Sequence, residues 1–174
     1  MTRLLFWSPF IAVALAAVAC GGDRSGNTPA QSPPQQAAVP IMSACALLTT
    51  AEANEVLKLP QIAALRSRDS VREAARGQST CVYGPPPHTS IGEVVTVFVE
   101  NGLRAVDQQA LNRVATDMGT GETAQTATGF GVPAATMASP PTIVAQKGSY
   151  RVLISAPTAD GTRDLAQKAI GRLP

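Results

Sequence analysis

Residues 41–174 predict an α+β domain: an antiparallel sheet of about five strands with helices packed on one face, in the order α-β-β-α-β-β-β-α. Three observations carry this expectation. The stretch "TTAE" at 49–52 is a helix start. The run "VVTVFV" at 94–99 is apolar on both alternating faces, as a central strand requires. The last three strand-like runs are joined by connections too short for a parallel crossover, so neighbours should pair antiparallel.

Taken in order, Thr49 as N-cap and Glu52 three residues on form a capping box, and the helix they open stops near Leu59, ahead of Pro60. Residues 61–76 read two ways, as helix by charge spacing or as loop by position. Ser79–Tyr83 and Ile91–Glu100 are strands joined by the loop "GPPPHTS". Asn101 is placed to cap a second helix with Leu103, Val106, Ala110 and Val114 on one face. Residues 116–132, rich in Gly and Thr, read as a loop. Ala134–Met137, Thr142–Gln146 and Tyr150–Ala156 are short strands, the last two turning across Lys147-Gly148-Ser149. A closing helix from about Asp160 turns Leu165, Ala169, Ile170 and Leu173 inward.

Two segments precede this domain. Residues 1–19, "MTRLLFWSPFIAVALAAVA", have the layout of a signal peptide: positive charge at the start, then no charge from Leu4 to Ala19. The run is short for a spanning helix of roughly 20 apolar residues and contains Pro9. Ala17-Val18-Ala19 offers a small-residue cleavage pattern, and cleavage there into a soluble secreted protein is one reading. The same stretch ending in Cys20 resembles a bacterial lipobox, in which the cysteine becomes the first mature residue and is lipidated through its sulfur. Cysteine arithmetic favours the lipid, because an anchored Cys20 leaves Cys45 and Cys81 as an even pair. Two or more acyl chains, at about 0.8 kcal/mol per buried methylene, give stable anchoring. Gly21 in place of aspartate after the cysteine implies the outer membrane, facing the periplasm, if the host has two membranes. Residues 20–40 then form the lipidated N-terminus and a Pro/Gln/Gly tether with an r.m.s. span of about 25 Å.

Charge and aromatic content exclude one class of partner. The chain has 14 basic and 12 acidic residues, and removing residues 1–19 takes only Arg3. So balanced a surface does not bind nucleic acid, which demands a clustered basic excess. Phe6, Trp7 and Phe10 would also leave with the signal, and Tyr83, Phe98, Phe130 and Tyr150 are too few to stack bases.

At Cys45 the chain resembles a known group. "CALLTTAEA" at 45–53 has the form C-x-L-L-T-x-x-E-A, and "CVY" at 81–83 supplies a second cysteine two residues before an aromatic. Both are similar to motifs of small bacterial envelope lipoproteins of unknown function, in which a cysteine before the first helix pairs with one in the first strand. Gly129-Phe130-Gly131 followed by Ala134 resembles the G-x-G-x-x-A segment those proteins carry ahead of their last strands. The resemblance implies an α+β fold and a Cys45–Cys81 disulfide, and it brings no catalytic residues with it. An oxidising compartment favours the same pairing, and closing a loop of about 37 residues would stabilise by roughly 4 kcal/mol. A metal site or a redox pair is the alternative use of these cysteines, disfavoured by a single histidine and by the lack of C-x-x-C.

Other candidate chemistry is sparse. His88, in "PPPHTS", is the only histidine, and no G-x-S-x-G accompanies it. The glycine segments "GTGE" at 119–122 and "GFGVP" at 129–133 lack the residues that complete a phosphate cradle and read as turns. Arg68, Arg72 and Arg76 recur every fourth residue, near Arg66. They form either a solvated face salt-bridged by Asp69 and Glu73 or a contact for an anion or a partner. The expectation is therefore a non-enzymatic binding module, with no cofactor, held on a bacterial envelope membrane through Cys20 and meeting an envelope protein. A small envelope hydrolase and an assembly or stress factor acting through the sheet edge are the alternatives.

Overall fold

The capping box at Thr49 forms as its residue types require. The Thr49 hydroxyl accepts from the Glu52 N–H at 3.2 Å, and the Glu52 carboxylate accepts from the Thr49 N–H at 2.8 Å. The structure, a computed structural model, describes residues 41–66, 70–86, 94–119 and 122–174. After a short 3-10 turn at Ala44–Ala46, helix α1 spans Thr50–Leu57 and ends at Lys58, whose φ of 52° is left-handed. The chain continues through β1 (Ala63–Arg66), α2 (Ser70–Ala75), β2 (Gln78–Gly84) and β3 (Val95–Glu100). Helix α3 (Gln108–Met118) leads to β4 (Gln125–Thr126), β5 (Ala134–Met137), β6 (Thr142–Lys147), β7 (Tyr150–Ser155) and α4 (Ala159–Arg172).

The class is α+β and the sheet is antiparallel, but among the described residues it has seven strands, ordered β1-β2-β3-β7-β6-β5-β4, and not five. Both added strands are edges. β1 lies in the segment with two readings, and β4 is two residues inside the Gly/Thr-rich loop, too short for any alternation to register. Residues 61–76 are accordingly neither all helix nor all loop, but strand and then helix. The second long helix also begins later than expected, because Asp107 and not Asn101 caps it, accepting from the Ala110 N–H at 2.7 Å. Gly102 takes a left-handed φ of 77°, and Leu103 donates to Ser149, so the chain between 101 and 107 is tied to the sheet. The buried residues of α3 are therefore Leu111 and Ala115, with Val106 and Val114 only half-buried.

Helices cover both faces, another departure from expectation. Successive residues of a strand point to opposite sides. One face presents Cys81, Tyr83, Val95, Val97, Val99, Ile143, Ala145, Val152 and Ile154 to Leu165, Ala169 and Ile170 of α4 and to Leu47 and Leu48 ahead of α1. On the other face, Ala135, Met137 and Val144 meet Leu111 and Ala115 of α3. That placement follows from polar residues spaced four apart along α3. Gln108 grips Ala134 with both ends of its amide, donating to its carbonyl and accepting from its N–H. Asn112 donates to Thr126, and Thr116 accepts from the Ala124 N–H. These bonds fasten α3 over the β4–β5–β6 end and away from the other. No described helix is long and apolar enough to cross a membrane.

Candidate binding surface

The strand register puts two rows of side chains on the α3 face. One runs Thr80, Phe98, Leu153, Val144, Ala135; the other runs Leu65, Val82, Thr96, Ser155, Thr142, Met137. α3 seals the β5–β6 end of both. Over β1, β2, β3 and β7 no helix among the described residues packs on this face, apart from α2 beside the start of β2. There Thr80, Val82, Thr96, Phe98, Leu153 and Ser155 are half-buried and Leu65 is exposed. The result is a half-sheet of mixed apolar and hydroxyl side chains. Where it meets the end of α3, a crevice of about 220 Å³ opens, lined by Thr96, Met118, Glu122, Leu153 and Ser155 among others. Met118 stands exposed at its rim.

A second crevice, of about 210 Å³, lies on the α4 face and is lined by Gln125, Thr136, Ile143, Ala159 and Thr162. Glu122 borders both, and it is the one ionisable residue lining either. Its carboxylate is already engaged, accepting from the Ala138 and Ser139 N–H groups at 3.2 and 3.0 Å, which pins the turn between β5 and β6. Thr162 is buried and donates to the Thr158 carbonyl at 2.8 Å within α4. Both crevices offer apolar contact and hydroxyls. Among the described residues, no group of three or more His, Cys, Asp or Glu is gathered as a metal site.

The residues singled out by sequence are scattered. Cys45, in the 3-10 turn, and Cys81, in the middle of β2, stand at disulfide distance with Cα atoms 5.1 Å apart. Cys20, Arg68 and His88 lie outside the described residues. Arg72 and Arg76 are exposed at one edge of the sheet. The salt-bridged reading of that face fails for its one described acid, because Glu73 turns inward and accepts from both the Thr80 N–H and the Thr80 hydroxyl. Gly129 and Gly131 have left-handed φ values of 90° and 69°. Between them Phe130 is presented to the Arg163 guanidinium, 5.3 Å from the ring centroid. That arginine also donates to the Thr128 carbonyl, so the "GFG" segment is a turn fastened to α4.

The strongest electrostatic arrangement lies elsewhere. Arg172, in the last turn of α4, reaches Glu52 of α1 with two guanidinium nitrogens at 2.6 and 2.8 Å, and one of these also donates to the Leu47 carbonyl. The Arg172 hydrogen bonds, with help from Thr49, hold the Glu52 carboxyl down at about 2 despite partial burial. Beneath it, burial and the Glu52 charge push the Tyr83 phenol up, and its hydroxyl donates to the Leu48 carbonyl at 2.6 Å. This cluster ties α4, α1 and β2 together, a structural role.

The open half-sheet was missed by sequence reasoning. Its signal was the mixture of hydroxyl and apolar residues on one face of β3 and β7, Thr96, Phe98, Leu153 and Ser155, opposite Val95, Val97, Val99, Val152 and Ile154. No protein-family model matches the chain, and no match was found among curated proteins or solved structures.

Proposed function

We propose that this chain is a bacterial envelope lipoprotein, anchored through Cys20, that serves as a non-enzymatic binding module for an envelope protein. The observation that carries the binding role is the half-sheet of β1, β2, β3 and β7. Phe98, Val82 and Leu153 sit there only half-buried beside the crevice at Met118, where a closed domain would place another helix. Protein partners suit such a surface. Its apolar side chains supply the burial, and the Thr96 hydroxyl is among the groups placed to hydrogen-bond a partner. The anchor and the spacer would present it at a membrane surface, where partners are few and close.

Two measurements test this. A labelled fatty acid should mark the protein, and Cys20→Ser should abolish both the label and the membrane association that resists high salt. A photo-crosslinking residue at Phe98 should capture one envelope protein in native membranes, whereas the same residue at Gln125, on the far sheet edge, should not. Equal, diffuse capture from both positions would contradict the assignment of the half-sheet.

A further inference from the structure

Four large apolar side chains are exposed among the described residues, and two of them, Leu65 and Val71, belong to the edge strand β1 and the helix that follows it. Val71, on α2, is 83% exposed. Arg66, Arg72 and Arg76 are exposed at the same edge, and none forms an ion pair among the described residues. Two residues of α2 depart from an ordinary surface helix. Its acid, Glu73, is turned in toward Thr80, while Val71, Arg72, Ala75 and Arg76 face out. Ile41 and Arg66 line one crevice of about 130 Å³ with Ser70, Glu73 and Ala74, so the start of the described chain belongs to this edge.

We infer that this edge rests on an anionic lipid surface, with Val71 and its apolar neighbours dipping among the headgroups and the three arginines pairing with phosphates. Charge argues for lipid. Three exposed arginines without an ion pair among the described residues, beside exposed Val71, suit anionic headgroups, and the inference rests on the anchored reading, which brings the domain to such a surface. A headgroup surface needs only a few cations and apolar tips, each arginine near it contributing about 1 kcal/mol.

The test is fluorescence quenching by vesicles whose acyl chains carry bromine, made either of phosphatidylglycerol with phosphatidylethanolamine or of phosphatidylcholine alone. Val71→Trp and, as control, Gln125→Trp on the opposite edge are compared in the native chain and in its Cys20→Ser form. On the anionic vesicles Trp at 71 should be quenched and Trp at 125 should not. Adding Arg72→Gln and Arg76→Gln should lower the binding of the Cys20→Ser form about fivefold per arginine. Equal quenching at both positions, quenching indifferent to lipid charge, or vesicle-bound protein with Trp at 71 unquenched would each overturn the inference. So would failure of both forms to meet the vesicles, or crosslinking of position 71 to a protein in place of quenching. The anchored reading is judged separately: it fails if the native and Cys20→Ser forms float equally with phosphatidylcholine vesicles.

Discussion

Arg172 and Glu52, 120 residues apart in sequence, close a two-pronged ion pair that ties the last turn of α4 to the first turn of α1. The same guanidinium holds the Leu47 carbonyl, so one side chain joins the end of the chain to the start of the domain. Arg172→Met should cost about 1–2 kcal/mol, less than a fully buried pair would, because the arginine is partly exposed. Urea denaturation checks it. Lys168→Met, which breaks exposed bonds to Glu55 and Asp164, should cost under about 1 kcal/mol.

The same pair sets an acid response. The folded-state carboxyl of Glu52 sits at about 2, below its ordinary value of 4.5. A depressed carboxyl contributes stability that is complete above the ordinary value and is lost as pH falls through the folded one. The melting temperature should therefore fall between about pH 4.5 and pH 2. Glu52→Gln should start lower and flatten that part of the curve; an unchanged slope would refute the assignment.

Cys45 and Cys81 fasten the 3-10 turn to the centre of β2, beneath the Leu47–Leu48 contact. Peptide mapping without reduction should recover the two cysteines in one mass. Replacing both with alanine should cost about 2–5 kcal/mol, a large share of a small domain's stability. Free thiols at both sites in protein taken from the envelope would contradict this.

Tyr83→Phe tests the packing of that same region. The phenol is fully buried, and its loss leaves the Leu48 carbonyl without the bond it receives at 2.6 Å. A destabilisation of about 1–3 kcal/mol is expected, measured by thermal melting with the backbone spectrum unchanged.

What could be read from the sequence was local. Thr49 and Glu52 announce α1 because both halves of a capping box lie within four residues, and Leu165, Ala169, Ile170 and Leu173 announce the buried stripe of α4. Asn101 misled because it has the right chemistry for a cap, but Leu103 donates to Ser149 and Asp107 takes the capping role. β4 exists through its partner Ala135, a pairing invisible in a two-residue string. The placement of helices on both faces depends on Gln108 finding Ala134, a long-range match that no periodicity contains. The open half-sheet is harder still, since it is defined by where α3 is fastened rather than by any motif of its own.

We propose that the half-sheet, which no described helix covers beyond α2 at its margin, binds a protein and that His88 takes no catalytic part. The most direct measurement is co-purification from native membranes with the wild-type chain, with Thr96→Arg/Met118→Asp, and with His88→Ala. Thr96 and Met118 line the crevice without filling the core, so the double variant should fold with a melting temperature near the wild type's. The account predicts one partner retained by the wild type and by His88→Ala, and lost at least tenfold by the double variant. A double variant that keeps its partner, or a folded His88→Ala chain whose cellular phenotype matches a deletion, would contradict it.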